Sequence, residues 1–323
     1  MPKILHTARY TGTPWDILKS VVPKGFVIET LEEATYDCLI SQCVDADYLL
    51  VSGRLPIDDG VISAAKQLKM IQRTGVGTEM LDVEAIKRHG IPVYVNAGIN
   101  ARSVAEHTIM LMMACLKRLA QINTETHSGV WNKQHQGVST HELYGKTVAL
   151  VGMGNIGRTV ATMLQPFGVH IIYTDMFRQN VDVEAKLGMK FFNRFEALLP
   201  LADILSFHCP LTKETREMLN RDTLDMLKEG AIVINTARGK LIDAESLYEA
   251  LVSGKVFSAA LDVHYEEPIT EENIFAGLDN VILTPHIGGL SYESFLAMMQ
   301  NAINNIRSFD DSDFQIIEKH RFL

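Results

Sequence analysis

An arginine, a glutamate and a histidine stand just beyond three strand-like apolar runs in the second half of the chain. Arg238 follows residues 231–235, Glu267 follows 258–263, and His286 follows 281–284. A histidine titrates near neutral pH and can give or take a proton in a reaction. A carboxylate on its second ring nitrogen fixes the tautomer and favours the imidazolium. An arginine grips a carboxylate through two parallel hydrogen bonds, and its charge polarises a carbonyl. Taken singly, Arg238 suits an exposed turn, Glu267 a solvated loop and His286 a capping position equally well. Together with a dinucleotide motif, the three at neighbouring strand ends form a set that is hard to dismiss.

A second motif supplies the redox partner for such chemistry. The apolar run 148–151 leads into Gly152-Met153-Gly154-Asn155-Ile156-Gly157, then a helical stretch to about 165, stopped by Pro166 and Gly168. Another β-rich run, 169–173, ends at Asp175. G-x-G-x-x-G alone is weak, but strand, turn, helix, strand and terminal acid are the context that makes it a dinucleotide site. Gly152 permits the tight turn, Gly154 the approach of a pyrophosphate, and Gly157 close helix–strand packing. The helix N-terminus offers N–H groups and partial positive charge to the phosphates. Asp175 suits the ribose hydroxyls and repels a 2′-phosphate, so the expected cofactor is NAD. Arg178, close by, is the residue that could receive a 2′-phosphate instead. The alternative, a glycine-rich turn that binds nothing, leaves this context unexplained.

The elements that must position these residues alternate. Up to about residue 96, strand patterns at 4–5, 26–28, 48–51, 70–71 and 93–95 are separated by helix patterns at 15–21, 36–44, 59–66 and 82–89. This predicts a doubly wound, mostly parallel sheet. Gly53 and the turn Thr74-Gly75-Val76-Gly77 fall at its carboxyl edge, where such sheets take ligands. A long helix is expected over 101–122, apolar almost all round in its middle and therefore in need of cover on every side. Burial inside one domain would supply that cover, and so would packing against a second subunit; Met110, Met112, Met113 and Leu116 are not expected all to face one core, which favours the second subunit. Residues 129–144 read as polar and irregular, with Trp131 among them. The glycine motif opens a second α/β sheet, and a last amphipathic helix, 292–306, is placed back on the first domain. The expected domains are residues 1–97 plus 290–323, and 98–289, with the chain crossing between them twice.

Composition narrows the class. The chain of 323 residues is 47% hydrophobic and 21% charged, as soluble globular proteins are. Its formal charge of −9 argues against nucleic acid or an anionic membrane as a partner. The start, Met1-Pro2-Lys3-Ile4-Leu5-His6, moves into a strand pattern with no leader-like apolar stretch, and the most apolar window, 109–116, is too short to span a bilayer. Four cysteines do not make a disulfide framework, and the eleven histidines show no zinc-ligand spacing. A cytoplasmic protein without metal is expected.

These residues, in combination, resemble the D-isomer-specific 2-hydroxyacid dehydrogenases. The match is carried by Arg73-Thr74-Gly75-Val76-Gly77, Asn100-Ala101-Arg102-Ser103-Val104-Ala105-Glu106-His107, the glycine motif, and His208-Cys209-Pro210-Leu211-Thr212. Asn235-Thr236-Ala237-Arg238-Gly239, Asp262-Val263 with Glu267-Pro268, and Pro285-His286-Ile287-Gly288 continue it in family order, from about residue 50 to 300. The resemblance implies two Rossmann-like doubly wound parallel-sheet domains with a cleft between them, NAD, a 2-oxo or 2-hydroxy acid substrate, and a homodimer joined through the cofactor domains. It makes Arg238 the carboxylate anchor, His286 the proton donor and Glu267 its partner. It assigns the substrate also to the Val76 and Gly77 amides and to Asn100. It assigns the cofactor to Gly152, Gly154, Asn155, Ile156, Gly157, Asp175, Thr236, Ala237 and Asp262, with Cys209 and Pro210 on its adenine side. The formate-oxidising branch carries glutamine where Glu267 stands, so formate is not expected. Phosphoglycerate-specific relatives carry an arginine where this chain has Ser52, with Arg54 two residues on. A small unphosphorylated acid such as glyoxylate or hydroxypyruvate is therefore expected, with phosphoglycerate dehydrogenase activity as the alternative. The chain's end at Leu323 is read as leaving no room for a C-terminal regulatory domain. Corepressors built on this fold keep the same trio yet act by gripping partner peptides, which gives a second, non-enzymatic alternative.

Overall fold

A computed structural model describes all residues, 1–323, as two compact units. One comprises Met1–Asn100 with Tyr292–Leu323, the other Ala101–Ser291. The first unit is built on a five-stranded parallel sheet of β1 (Lys3–His6), β2 (Val27–Thr30), β3 (Tyr48–Val51), β4 (Met70–Arg73) and β5 (Val93–Tyr94), in the order β2-β1-β3-β4-β5. β3 and β4 are buried residue for residue, because helices cover both faces. Alternation within them divides the core. Leu5, Leu49, Val51 and Ile71 pack with Leu39, Val61 and Ile86. Ile4, Leu50 and Met70 pack on the opposite face with Leu18 and with Met298, Met299 and Ile303 of the helix Tyr292–Asp310. Side-chain caps start the short helices: Asp58 accepts from Val61 N at 3.1 Å, and Asp82 from Ala85 N at 2.9 Å.

The second unit holds seven parallel strands: β6 (Thr147–Val151), β7 (His170–Thr174), β8 (Met189–Phe191), β9 (Ile204–Phe207), β10 (Ala231–Asn235), β11 (Val256–Leu261) and β12 (Val281–Leu283). Their order, β12-β11-β10-β9-β6-β7-β8, reverses direction between β6 and β9. That is the switch point where open sheets of this kind form a crevice beyond the carboxyl ends. The glycine turn leaves β6 there. Arg238 and Glu267 follow β10 and β11, and His286 follows β12, so sheet order brings the three candidate residues onto consecutive strands.

The long helix differs from its sequence reading. It runs from Ala101 to Leu116, and a second helix, Leu119–His127, follows a break at Arg118, which is left-handed at φ 48°. The last buried side chains are Cys115 and Leu116, and nothing of the second helix is buried, so the chain turns where the apolar run ends. The four side chains singled out on this helix do not all face one core. Met112 and Leu116 are fully buried in the unit's own core and Met113 packs against it, while Met110 is half exposed. One core therefore takes three of the four. A short helix, Lys133–Val138, lies within the segment read as irregular. No helix is long and apolar enough to cross a membrane.

Candidate active site

The glycine turn is shaped by close approach. Gly152 has φ 98°, and a Cβ on it would lie 2.6 Å from the amide nitrogen of Cys209 and 2.7 Å from the carbonyl carbon of His208. A Cβ on Gly157 would lie 2.1 Å from Gly152 O. Both glycines are required by the chain's own backbone at the switch point. Gly154 is different: a Cβ there would meet nothing within 4 Å. It precedes the helix Asn155–Leu164 without any side-chain cap, which leaves the helix's first N–H groups to a ligand. The open space above Gly154, beside uncapped donors, fits a pyrophosphate.

Asp175 closes over the same turn. Its Oδ2 accepts from Met153 N and its Oδ1 from Phe177 N at 2.9 Å. Arg178 points elsewhere. It is clamped by Glu184, with Nε to Oε1 at 3.0 Å and Nη2 to Oε2 at 2.8 Å, and it lies over the ring of Phe191. Tyr173 donates to the same Glu184 Oε1 at 2.6 Å. The Arg178 and Tyr173 hydrogen bonds hold the Glu184 carboxyl down at about 2. Cys209 is half-buried, its thiol pushed up to about 12 by burial, and the Pro210 carbonyl accepts from Thr215 Oγ1 at 2.8 Å. The Thr236 hydroxyl pairs with that of Thr108 at 3.0 Å and is buried, and the Ala237 amide donates to Asn235 Oδ1 at 3.0 Å.

His286 and Glu267 form a pair. Nδ1 of the imidazole lies 2.8 Å from Oε2, while Oε1 accepts from the amide of His264 at 2.9 Å. The hydrogen bond to Glu267 raises the His286 pKa above its ordinary value, against the opposing effects of burial and of the Arg238 charge. Burial alone would raise Glu267, but the His286 and His264 hydrogen bonds outweigh it and hold the carboxyl low. Nδ1 is thus committed to Glu267, which leaves Nε2 as the nitrogen for a reacting group. Arg238 is fixed at the end of β10, where Asn235 Nδ2 donates to its carbonyl at 2.9 Å and its Nη1 donates to Ala237 O at 2.7 Å. Gly239 allows this loop to lie against the next: a Cβ there would meet His264 O at 1.9 Å.

Asp262 holds the loop that carries His286. It is 1% exposed. Oδ1 accepts from Thr284 Oγ1 at 2.6 Å and Ile287 N at 2.9 Å, and Oδ2 from Gly288 N at 2.8 Å. His107 Nε2 adds a contact at 3.5 Å. Burial would raise this carboxyl, and the His107, Thr284, Ile287 and Gly288 donors bring it below its ordinary value instead. The grip spans a strained residue, since His286 is left-handed at φ 56°. His107 also reaches Thr284 Oγ1 at 3.2 Å, His264 Nε2 lies 2.9 Å from Thr284 O, and Ser103 Oγ donates to Gly288 O at 2.8 Å. Reading the sequence by role misses His107, Ser103, His264 and Thr284. The one signal was that each lies within or beside a motif with an assigned neighbour. Val76, Gly77 and Asn100 belong to the first unit, at the carboxyl end of β4 and at the unit's last residue before the chain leaves it.

The family model described as "D-isomer specific 2-hydroxyacid dehydrogenase, NAD binding domain" matches residues 109–288. The chain is 39% identical over 267 residues to hydroxypyruvate reductase from Thermotoga maritima, covering 82% of this chain and 85% of that one. It is 33% identical to glyoxylate reductase from Thermococcus onnurineus, covering 97% and 94%. It is 34% identical to D-3-phosphoglycerate dehydrogenase from Archaeoglobus fulgidus over 91% of its own length, but spans only 58% of that relative. Among solved structures, NAD-dependent formate dehydrogenase from Staphylococcus aureus in complex with NAD superposes with a TM-score of 0.83 at 27% identity, covering 97% and 96%.

Proposed function

Because this chain belongs to the D-isomer specific 2-hydroxyacid dehydrogenases, we propose that it reduces a small unphosphorylated 2-oxo acid, of the glyoxylate or hydroxypyruvate kind, to the D-2-hydroxy acid. It is an NAD-dependent oxidoreductase with two parallel-sheet α/β domains. The observation that carries the reading is the His286–Glu267 pair at 2.8 Å, on the strand edge that also bears Arg238 and the glycine turn. Gly152, Gly154, Asn155, Ile156, Gly157 and Asp175 would hold NAD, with Cys209, Pro210, Thr236, Ala237 and Asp262 around it. NADH bound there would supply a hydride for the carbonyl carbon. Arg238 anchors the substrate carboxylate and draws charge from the carbonyl, and the Val76 and Gly77 amides and Asn100 complete the anchor. His286 gives its Nε2 proton to the carbonyl oxygen, and Glu267 keeps the ring protonated until then. Assaying NADH oxidation with glyoxylate, hydroxypyruvate and 3-phosphohydroxypyruvate tests the reading. Turnover of none would sink it and favour a binding protein of the corepressor kind. Preference for the phosphorylated acid, lost in Arg54→Ala, would make Arg54 a phosphate anchor and the protein a phosphoglycerate dehydrogenase.

The cofactor preference follows from two carboxylates. Asp175 opposes a 2′-phosphate, and Glu184 keeps Arg178 from reaching one. Glu184→Ala is expected to raise kcat/KM with NADPH relative to NADH, and Glu184→Ala with Asp175→Ala to raise it further. A ratio unmoved in both variants would show that Arg178 lies out of reach.

Glu267→Gln is expected to move the profile of kcat/KM for reduction to lower pH. Its hydrogen bond is the largest cause of the raised His286 pKa, and reduction needs the imidazolium. The same pair adds stability in a window. The His286 contribution is lost as pH rises through a folded pKa above 6.5, and the Glu267 contribution as pH falls through one below 4.5. A pH profile that stays put in Glu267→Gln would break the assignment.

The protein is proposed to be a cytoplasmic homodimer joined through the cofactor domain, with no nucleic-acid or membrane partner. Met110, Leu119, Val130, Trp131, Val138 and Tyr144 are large apolar side chains left exposed, Trp131 at 84% and Val138 at 83%. All four cysteines are free thiols, as a reducing compartment allows. The formal charge of −9 opposes binding to polyanions. Sedimentation at micromolar concentration checks the dimer.

A further inference from the structure

The turn from Thr74 to Gly77 leaves β4 at its carboxyl end, and its carbonyls are held from behind. Thr74 O accepts from Asn96 Nδ2 at 3.1 Å, and Gly75 O from the Asn96 amide, also at 3.1 Å. Gly77 O accepts from Arg73 Nε at 2.6 Å, and Arg73 Nη1 reaches back to Val51 O at 3.0 Å. The peptides of this turn are trans. In a trans peptide the N–H points away from the C=O of the same unit. Fixing the carbonyls of Thr74, Gly75 and Gly77 therefore fixes the N–H directions of Gly75, Val76 and Thr78. The peptide that carries the Gly77 N–H is bracketed between these fixed units. Neither Val76 N nor Gly77 N donates to a group of the chain. Val76 is 47% exposed, whereas Asn96 is 1% exposed.

Asn96 is itself held on every side. Its Nδ2 also donates to Met298 O at 2.9 Å, and its Oδ1 accepts from Asn301 Nδ2 at 2.8 Å and, at a long 3.4 Å, from Gln72 Nε2. Gln72 donates to Arg73 O at 2.8 Å and accepts from Asn305 Nδ2 at 3.1 Å. Met298, Asn301 and Asn305 lie on the helix Tyr292–Asp310, whose neighbouring core contacts, Ile4, Leu50 and Met70 among them, are apolar. A buried amide seam is tolerated only when fully satisfied, and apolar side chains would fill such a place at less cost. Its geometry gives it a task that apolar side chains cannot perform: the Asn96 side chain donates to Thr74 O, and its two-sided anchoring holds in place the Asn96 backbone amide that donates to Gly75 O.

We propose that Asn96, supported by Gln72 and Asn301, is a positioning residue for the substrate carboxylate: it aims the amides of the Thr74–Gly77 turn. This rests on the reading of Val76 and Gly77 as carboxylate donors. Donors already oriented toward an anion need no rearrangement when it arrives. The test compares wild type, Asn96→Ala and Asn301→Ala by KM and kcat for hydroxypyruvate at saturating NADH, by Kd for NADH, and by melting temperature. In Asn96→Ala the KM is expected to rise about tenfold or more, with NADH binding unchanged. Asn301→Ala should rise less, in the same direction. A lowered melting temperature with unchanged KM overturns the proposal, because the seam would then serve stability alone. If Asn96→Ala does not fold, Asn301→Ala decides by the same two outcomes. Wild-type protein that turns over no 2-oxo acid would remove the underlying reading and the proposal together, whereas wild-type turnover with unmoved KM in the variants removes the proposal only.

Discussion

His286→Gln is expected to lower kcat/KM for 2-oxo acid reduction by about a hundredfold to ten-thousandfold, the range for removing a positioned general acid. Glutamine is close in size and keeps a polar end, so the loop has little reason to collapse. It cannot, however, deliver a proton near neutral pH. Nδ1 lies 2.8 Å from Glu267 Oε2, so Nε2 is the nitrogen left for the proposed proton transfer. NADH binding should survive, since the glycine turn and Asp175 sit on other strands of the sheet. Stopped-flow or steady-state turnover, with NADH fluorescence titration alongside, checks both halves. Residual activity within a few-fold of wild type would remove His286 from the chemistry.

Asp262→Ala is expected to reduce both stability and turnover, the second through His286. The substitution strips the acceptor from Thr284 Oγ1, Ile287 N and Gly288 N in a place that is 1% exposed. Of the three donors only Gly288 N is buried, the other two being part-buried; a buried donor left unpaired costs about 1–3 kcal/mol, so a loss on the order of 1–3 kcal/mol is expected. Without the two amide anchors on its C-terminal side, His286 has no reason to keep a left-handed backbone at φ 56°. A misplacement of about 1 Å in a catalytic group can cost on the order of a hundredfold in rate. The Asp262 charge also helps to raise the His286 pKa, so the pH profile should move to lower pH. Combining Asp262→Ala with His286→Gln separates this role from direct cofactor contact. If Asp262 acts through His286, the second substitution adds little to the first. Full additivity together with a raised KM for NADH would place Asp262 on the cofactor instead. Stability should also fall as pH drops through the low folded pKa of Asp262, since protonation removes the acceptor charge.

Much of the molecule is written in local residue types. Gly152 at φ 98° and Gly157 beneath Gly152 O are positions where a side chain cannot stand, so the glycine turn is legible from its glycines together with the strand and helix patterns on either side. Strand and helix alternation is equally local, because apolar runs bounded by turn residues need no knowledge of their neighbours. Arg238, Glu267 and His286 could be picked out because each follows such a run. Pairing was not legible to the same degree. That Glu267 meets His286 depends on β11 lying beside β12, and that Asp262 meets Ile287 and Gly288 depends on the same adjacency. Arg178 looked available to a phosphate, but it had a nearer carboxylate in Glu184, six residues along and around a turn. That Met110, Met112, Met113 and Leu116 could not all face one core was legible, but which of them the core would take was decided by the sheet beneath, which covers the last three and leaves Met110 half exposed. Asn96 was assigned no role in the sequence, because its partners on the helix Tyr292–Asp310 lie some two hundred residues away. Backbone sterics act within one or two residues and so are set by sequence. Hydrogen-bond partners are chosen among all groups that folding brings within about 3 Å, and only the tertiary structure makes that choice.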